Sequence, residues 1–128
     1  MSEQIVGMGM DLIQPSRIQA VLSRRGESFL RRVYTEEEIS YSLRGKNKYQ
    51  RLAARWAAKE AFLKAVGTEL TGISMKDVEV IASGHGPPQI QLHGSAQKRA
   101  EKIGVERVLV SLSHSEDVAG ATVLLLSA

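Results

Sequence analysis

The side chains best placed to do chemistry together are Glu60, Lys64 and Asp11. Glu60 and Lys64 are four residues apart in an alanine-rich segment, so they are neighbours on one face of a predicted helix. Gly7, Gly9 and Asp11 alternate along a predicted strand and therefore share one of its faces. If Asp11 faces Glu60, two carboxylates converge beside a lysine. Mg²⁺ favours one or two carboxylates completed by waters and phosphate oxygens, so this arrangement predicts phosphoryl-transfer chemistry.

Each of these residues also has a structural interpretation. The Glu60–Lys64 pair is typical of an exposed helix, and Asp11 could cap the helix that follows it. Trp56 and Phe62 nevertheless indicate that the helix is mostly buried. Buried Glu or Lys is rare unless it is paired or functional, which favours the chemical interpretation.

His114 ends the segment Val110-Ser-Leu-Ser-His114, whose hydroxyl groups and imidazole could donate to phosphate oxygens. It could equally be a polar residue near a turn. Other site classes lack their motifs: there is no Gly-x-Ser-x-Gly, no Walker sequence and no complete Gly-x-Gly-x-x-Gly. Without cysteine or a His-x-x-x-His spacing, thiolate chemistry is excluded and a zinc site is disfavoured.

Composition and charge place the chain among ordinary globular proteins. Its 128 residues are 43% hydrophobic and 24% charged, which predicts one domain over residues 1–128. The net charge of +3 divides into +5 for residues 1–64 and −2 for residues 65–128. The basic half predicts an anionic partner: nucleic acid, a phosphorylated cofactor or an acidic protein. The N-terminus lacks a secretory pattern and no apolar run could span a bilayer, so we expect a cytoplasmic protein without membrane contact.

Periodicity predicts the elements that must position these residues. A capping box of Thr35 and Glu38 opens one helix, and Gly67 ends the longest one. Helices are predicted over 16–25, 29–33, 36–43, 49–66 and 95–103, and strands over 5–11, 78–80, 90–92, 107–113 and 119–125. This order predicts an α+β fold in which an antiparallel sheet packs against the long helix and shorter helices.

Three segments together resemble the holo-[acyl-carrier-protein] synthases, which are 4′-phosphopantetheinyl transferases. The segments are Gly7-Met-Gly-Met-Asp11-Leu followed by Arg17-Ile18, Arg55-Trp-Ala-Ala-Lys-Glu60-Ala-Phe-Leu-Lys64-Ala-Val-Gly-Thr68, and Val110-Ser-Leu-Ser-His114. The intervening Gly86-Pro-Pro88 also fits the pattern. The resemblance covers nearly the whole chain, and the helix motif is its most specific part.

The resemblance implies a Mg²⁺-dependent enzyme that transfers 4′-phosphopantetheine from coenzyme A to a serine of apo acyl carrier protein, releasing 3′,5′-ADP. It implies a role in cytoplasmic fatty-acid and lipid biosynthesis, and a homotrimer with active sites at subunit interfaces. Whether the acceptor is a fatty-acid or a polyketide carrier stays open, as does the use of acyl-coenzyme A donors. The proton acceptor is either Glu60 or a metal-bound water.

The resemblance also implies residue roles. Asp11 and Glu60 would hold Mg²⁺, and the catalytic set would be Glu60, Lys64 and His114. The coenzyme A contacts would come from Lys46, Lys48, Arg55, Lys64, Gly86, Pro88, Ser113 and His114, with Arg55 and the two loop lysines near the 3′-phosphate. Arg17, Arg24 and Arg25 would meet the acidic helix of the carrier protein.

Two other classes of protein compete with this interpretation. A small basic nucleic-acid-binding module would explain the basic residues between Arg17 and Arg55, although no RNA-binding motif accompanies them. If the protein were instead a structural homo-oligomer, the polar pairs would be only contacts between its subunits. Both predict that Asp11→Ala or Glu60→Ala leaves function largely intact, whereas a transferase would lose Mg²⁺-dependent turnover.

Overall fold

The computed structural model describes residues 2–67, 72–82 and 84–128. Thr68, the last residue of the helix motif, lies outside them. The helices are α1 (Pro15–Arg25), α2 (Glu27–Val33), α3 (Glu36–Ser42), α4 (Lys48–Val66) and α5 (Gly94–Lys102). The strands are β1 (Gln4–Ile13), β2 (Val78–Ile81), β3 (Gln89–Leu92), β4 (Arg107–His114) and β5 (Ala119–Ser127), and a short 3₁₀ turn spans Met75–Asp77. Each predicted helix and strand is present, with bounds that differ by a few residues.

The strands form two antiparallel groups. β5 lies between β1 and β4 in a three-stranded sheet, and β2 pairs with β3 in a separate ribbon. The predicted α+β fold, with an antiparallel sheet packed on the long helix, is confirmed. The sequence pattern did not separate the ribbon from the main sheet, because hydrophobic alternation identifies strands without identifying their partners.

Helix α4 packs closely against the main sheet because both surfaces carry small residues. A Cβ on Gly9 would lie 2.0 Å from the Ala61 carbonyl oxygen, and one on Gly7 would lie 2.3 Å from that of Ala65. These strand glycines therefore mark the close approach of another backbone, as their position predicts. Asp11 shares their face of β1, so the same close packing brings its carboxylate to α4.

Gly9→Ala is expected to be strongly destabilising, because the new methyl group would overlap a helix carbonyl that cannot move independently. We expect the free energy of unfolding to fall by about 3 kcal/mol or more, at the upper end of overpacking effects. Urea unfolding would measure this from the midpoint and slope of the transition. Gly120→Ala is the matched control in β5. Its Cβ would meet mainly the flexible Leu12 side chain, at 2.7 Å. Equal shifts for the two variants would contradict this account of the helix–sheet contact.

A buried ion pair joins α4 to α3 and to the start of β2. Lys59 Nζ donates to Glu38 Oε1 at 2.8 Å and to the backbone carbonyls of Met75 and Val78 at 2.9 and 2.6 Å. Both side chains are fully buried. Glu38 also completes the predicted capping box with Thr35 and accepts from the Val80 N–H at 2.9 Å. Every polar atom of the pair is thus satisfied, as a buried charge requires.

A second polar contact, which Glu79 makes with Thr35 and His93, makes the stability of the fold depend on pH. Glu79 accepts a hydrogen bond from the Thr35 hydroxyl at 2.8 Å and lies 2.9 Å from His93 Nε2. Burial alone would raise the pKa of Glu79, but the hydrogen bonds from His93 and Thr35 outweigh it, and the pKa is lowered. A lowered carboxyl pKa stabilises the fold above the ordinary value of 4.5, and this contribution is lost as pH falls through the folded value.

His93→Gln is therefore expected to flatten the acid side of the stability profile. The variant loses the strongest influence that lowers the pKa of Glu79, so its melting temperature should fall less steeply than that of the wild type below pH about 4.5. Thermal melts from pH 3 to pH 7 on both proteins would measure the slopes. Parallel curves would show that His93 does not act through Glu79.

Candidate active site

The predicted carboxylates meet at one cleft, here called the carboxylate cleft. Strand β1 supplies Asp11, helix α4 supplies Glu60 and helix α1 supplies Arg17. The cleft has a volume of about 250 Å³, and its remaining lining residues are Leu12, Ile13, Ile18, Val21, Phe29 and Trp56. A polar rim over an apolar floor is typical of small-ligand sites.

Lys64 adds a positive charge beside Asp11. Its Nζ donates to Asp11 Oδ1 and to the Met10 carbonyl oxygen, both at 3.0 Å. The lysine side chain is 44% exposed, so its ammonium group can leave the Asp11 carboxylate and bind an incoming anion. Helical spacing predicted that Glu60 and Lys64 are neighbours, and the structure shows that Asp11 lies beside them.

The charges of the carboxylate cleft fit a hard divalent cation. Burial raises the pKa of Glu60, the nearby Asp11 carboxylate raises it further, and Lys64 opposes both. Two coupled carboxylates of this kind are stabilised by a cation held between them. The described residues contain no group of three or more His, Cys, Asp or Glu side chains suited to a metal ion. Two carboxylates completed by water and phosphate are the ligand set that Mg²⁺ uses and zinc does not.

Other predicted residues line a second cleft, here called the arginine cleft. Arg55, Gly86, Pro88 and His114 are among its lining residues, and its volume is about 330 Å³. The full lining is Tyr41, Arg51, Ala54, Arg55, Ala82, Gly84, Gly86, Pro88, Leu112 and His114. Two arginines and no carboxylates among these residues make it a site for an anion.

Arg55 is held in this cleft with few polar partners. Its backbone is on α4, its side chain is buried, and its guanidinium lies 4.5 Å from the centre of the Tyr41 ring. Nη1 donates to the Arg51 carbonyl oxygen at 3.3 Å, whereas Nε has no hydrogen-bond partner among the residues that the structure describes. Burial lowers the pKa of Arg55, and nearby Tyr41 and Glu38 oppose that effect. An arginine so placed retains hydrogen-bonding capacity for a phosphate group.

The remaining predicted residues lie outside both clefts. Lys46 is exposed in the loop before α4, and Lys48 begins that helix with its ammonium 5.1 Å from the Tyr49 ring centre. Ser113 is exposed on β4. Arg24 and Arg25 occupy the exposed last turn of α1, where they also complement the helix dipole.

Two polar lining residues of the arginine cleft, Tyr41 and Arg51, were not predicted as site residues. Arg51 precedes Arg55 by four residues, so the helical spacing of the two arginines was a usable indication. No local pattern marked Tyr41, because its partners lie on a different helix.

The two clefts share no lining residue. The predicted metal ligands and the predicted contacts to the adenosine end of coenzyme A are therefore separated within one chain. The outer face of β1 beside the carboxylate cleft is apolar and exposed, with Met8, Met10 and Leu12 at 65%, 56% and 61%. Within the described residues, none of the helices is both long and apolar enough to cross a lipid bilayer.

Comparison with known proteins agrees with this geometry. The sequence model of the 4′-phosphopantetheinyl transferase superfamily matches residues 7–123 of this chain. A holo-[acyl-carrier-protein] synthase of Solibacter usitatus is 44% identical over 94% of this chain and 98% of its own. The crystal structure of holo-[acyl-carrier-protein] synthase from Neisseria meningitidis is 33% identical over 95% of this chain and 98% of that one, with a TM-score of 0.86.

A third relative was crystallised with a ligand. The holo-(acyl-carrier-protein) synthase of Bacillus anthracis, in complex with CoA (3′,5′-ADP), is 35% identical over 97% of this chain and 98% of its own, with a TM-score of 0.76. Full-length matches at these identities show common descent as well as a common fold. The chain is an enzyme of the holo-[acyl-carrier-protein] synthase family, within the 4′-phosphopantetheinyl transferase superfamily.

Proposed function

We propose that this enzyme transfers the 4′-phosphopantetheine group of coenzyme A to a serine of apo acyl carrier protein, releasing 3′,5′-ADP, in a Mg²⁺-dependent reaction. The observation that carries the proposal is the convergence of Asp11 and Glu60 at one cleft, with Lys64 hydrogen-bonded to Asp11 beside it. Two neighbouring carboxylates with a partly exposed lysine suit a metal–diphosphate complex. Coenzyme A bound to the Bacillus anthracis relative supports the choice of donor.

The reaction forms a bond between the carrier serine oxygen and the β-phosphorus of coenzyme A. It breaks the bond from that phosphorus to the bridging oxygen, which leaves with 3′,5′-ADP. Asp11 and Glu60 would hold the Mg²⁺, which neutralises diphosphate charge and stabilises the leaving group when it is bound. Lys64 and His114 would donate to diphosphate oxygens as negative charge develops on the leaving oxygen. Glu60 would be one acceptor for the serine proton, and a water molecule at the metal site would be the alternative.

The arginine cleft would hold the adenosine 3′,5′-bisphosphate part of coenzyme A. Arg55 would contact the 3′-phosphate, with Lys46 and Lys48 approaching from the loop before α4. Gly86 and Pro88 would complete the contacts by presenting backbone to the ligand. Ser113 lies between the lining residues Leu112 and His114 on the strand, so any contact it makes with coenzyme A would come from outside this cleft. Arg51 joins this set because it lines the same cleft.

We further propose a homotrimer with active sites between subunits. The support is that one coenzyme A molecule must reach both clefts, whose linings are separate within one chain. A neighbouring chain would bring its arginine cleft beside the carboxylate cleft. The exposed apolar row of Met8, Met10 and Leu12 is suited to burial against that neighbour.

Arg17, Arg24 and Arg25 would form the carrier-protein surface along α1. Because attraction between exposed charges is screened by salt, the KM for the carrier protein should rise several-fold between 50 and 500 mM NaCl, with kcat changing little. Steady-state kinetics at saturating coenzyme A would measure this. Arg24→Ala/Arg25→Ala should reduce the salt dependence. A KM independent of salt would count against an arginine surface.

The transfer itself is tested by mass spectrometry of an apo acyl carrier protein incubated with the enzyme, coenzyme A and Mg²⁺. A gain of one phosphopantetheine mass, absent with a chelator and absent for Glu60→Ala, would support the reaction and its metal site. No gain with folded enzyme and several acidic carrier proteins would overturn the proposal.

A further inference from the structure

We propose that Tyr41 is a positioning residue whose ring holds the Arg55 guanidinium in the arginine cleft, and that it thereby sets the affinity for the 3′-phosphate end of coenzyme A. The identity of the ligand rests on the proposed function. The relation between the ring and the arginine rests on the geometry alone.

The ring of Tyr41 lies against two arginines of the neighbouring helix. Its centre is 4.5 Å from Cζ of Arg55 and 5.6 Å from Cζ of Arg51. The two arginines are one turn apart on α4, so a single ring on α3 spans both. Tyr41 also lines the arginine cleft, and the ring is partly exposed there. Distances of this size are those of cation–π contacts.

The two arginines differ in how else they are held. Arg51 Nη1 donates to the Arg44 carbonyl oxygen, which ties its end to the backbone. Within the described residues, Arg55 donates one long backbone hydrogen bond, to the Arg51 carbonyl oxygen at 3.3 Å, and its Nε has no partner. Burial lowers the pKa of Arg55, and its other polar contact, with the Tyr41 side chain, opposes that effect. None of the ion pairs between described residues involves Arg55. The Tyr41 ring is therefore the main restraint on the orientation of the Arg55 guanidinium.

Without the ring, the Arg55 guanidinium could turn toward a second cleft that contains carboxylates. Tyr41 and Arg55 also line an adjoining cleft whose other residues include Glu37 and Glu79. A guanidinium released from the ring would be drawn toward these carboxylates and away from the cleft that holds no acid. The ring thus keeps Arg55 available for a phosphate group, and removing it should weaken binding without touching the reacting atoms.

The test compares Tyr41→Leu and Tyr41→Phe in the full-length enzyme, with coenzyme A and 3′-dephospho-coenzyme A as donors. Tyr41→Leu should raise the KM for coenzyme A about fivefold, as expected for a lost cation–π contact, with kcat and the KM for the carrier protein within about twofold. Tyr41→Phe keeps the ring and removes only the hydroxyl group, so its KM should lie closer to that of the wild type than to that of the leucine variant. With 3′-dephospho-coenzyme A, the leucine variant and the wild type should have equal KM values. Leu43→Ala, at the end of the same helix and outside the cleft, is the control.

A double-mutant cycle with Arg55→Gln separates positioning from direct contact. If Tyr41 acts through Arg55, Tyr41→Leu should cause no further rise in KM in the Arg55→Gln background. A further fivefold rise there, or an unchanged KM in the single variant, would overturn the inference. Should Tyr41→Leu lower the melting temperature appreciably, Tyr41→Gln would replace it as a non-aromatic variant. An inactive wild type would refute the proposed function instead, so the two failures are distinguishable.

Discussion

Glu60→Gln is expected to reduce Mg²⁺-dependent transfer by at least about a hundredfold while the fold is retained, since a carboxylate ligand contributes several kcal/mol through the metal it holds. The amide keeps the size of the side chain and removes its charge. Turnover would be followed by the mass gain of the carrier protein across a range of Mg²⁺ concentrations. Glu101→Gln, on exposed α5, is the matched acid-to-amide control and should be fully active.

The same variant should melt at a higher temperature than the wild type in chelator at neutral pH. Burial and the Asp11 carboxylate raise the pKa of Glu60. A raised carboxyl pKa means that ionisation is less favourable in the folded state, so the charge lowers stability above that pKa. Replacing it with an amide removes this cost. If Glu60→Gln were less stable than the wild type and fully active, Glu60 would be neither a metal ligand nor a charge that lowers stability.

Lys59→Met is expected to produce the largest loss of stability, about 3–5 kcal/mol, because it leaves the Glu38 carboxylate buried without its cation. Methionine fills similar space and provides no donor for the Met75 and Val78 carbonyls. Chemical denaturation would measure the change in the free energy of unfolding. The protein concentration should be the same for every variant, because any oligomerisation makes the apparent stability depend on it.

The double variant Glu38→Gln/Lys59→Met provides the control for this loss. It removes both charges, so it should recover part of the stability, as replacement of whole buried ion pairs often does. If the single and double variants were equally destabilised, the loss would come from packing or from the carbonyls and not from an unpaired charge. Activity should fall with stability, because Lys59 anchors the helix that carries Arg55, Glu60 and Lys64.

The residues proposed to hold the metal and the diphosphate were the part of the site most accessible from sequence. Glu60 and Lys64 are neighbours through helical spacing alone, and the alternating glycines place Asp11 on the strand face that a second backbone can approach. Both relations depend on periods of a few residues, so they are readable without knowledge of the fold. The capping box of Thr35 and Glu38 is confirmed for the same reason.

Lys59 shows where such reasoning stops. Its spacing places it on α4, but its partner Glu38 is 21 residues away, and no local pattern links the two. The capping box accounted for Glu38 completely at the level of sequence, although the same carboxylate also neutralises a lysine and accepts from β2. One side chain with several partners is visible only when the elements are packed.

By itself, the sequence determined the order of the elements, the pairing of Glu60 with Lys64 on one helix face, and the family to which the chain belongs. The tertiary structure alone decided which strands pair, which acid neutralises Lys59, and that Tyr41 lies against Arg55. It also decided which predicted residues line each of two clefts with separate linings and which lie outside both. The physical reason is range: helix and strand periods relate residues close in sequence, whereas pairing across elements depends on how side-chain volumes and charges pack together.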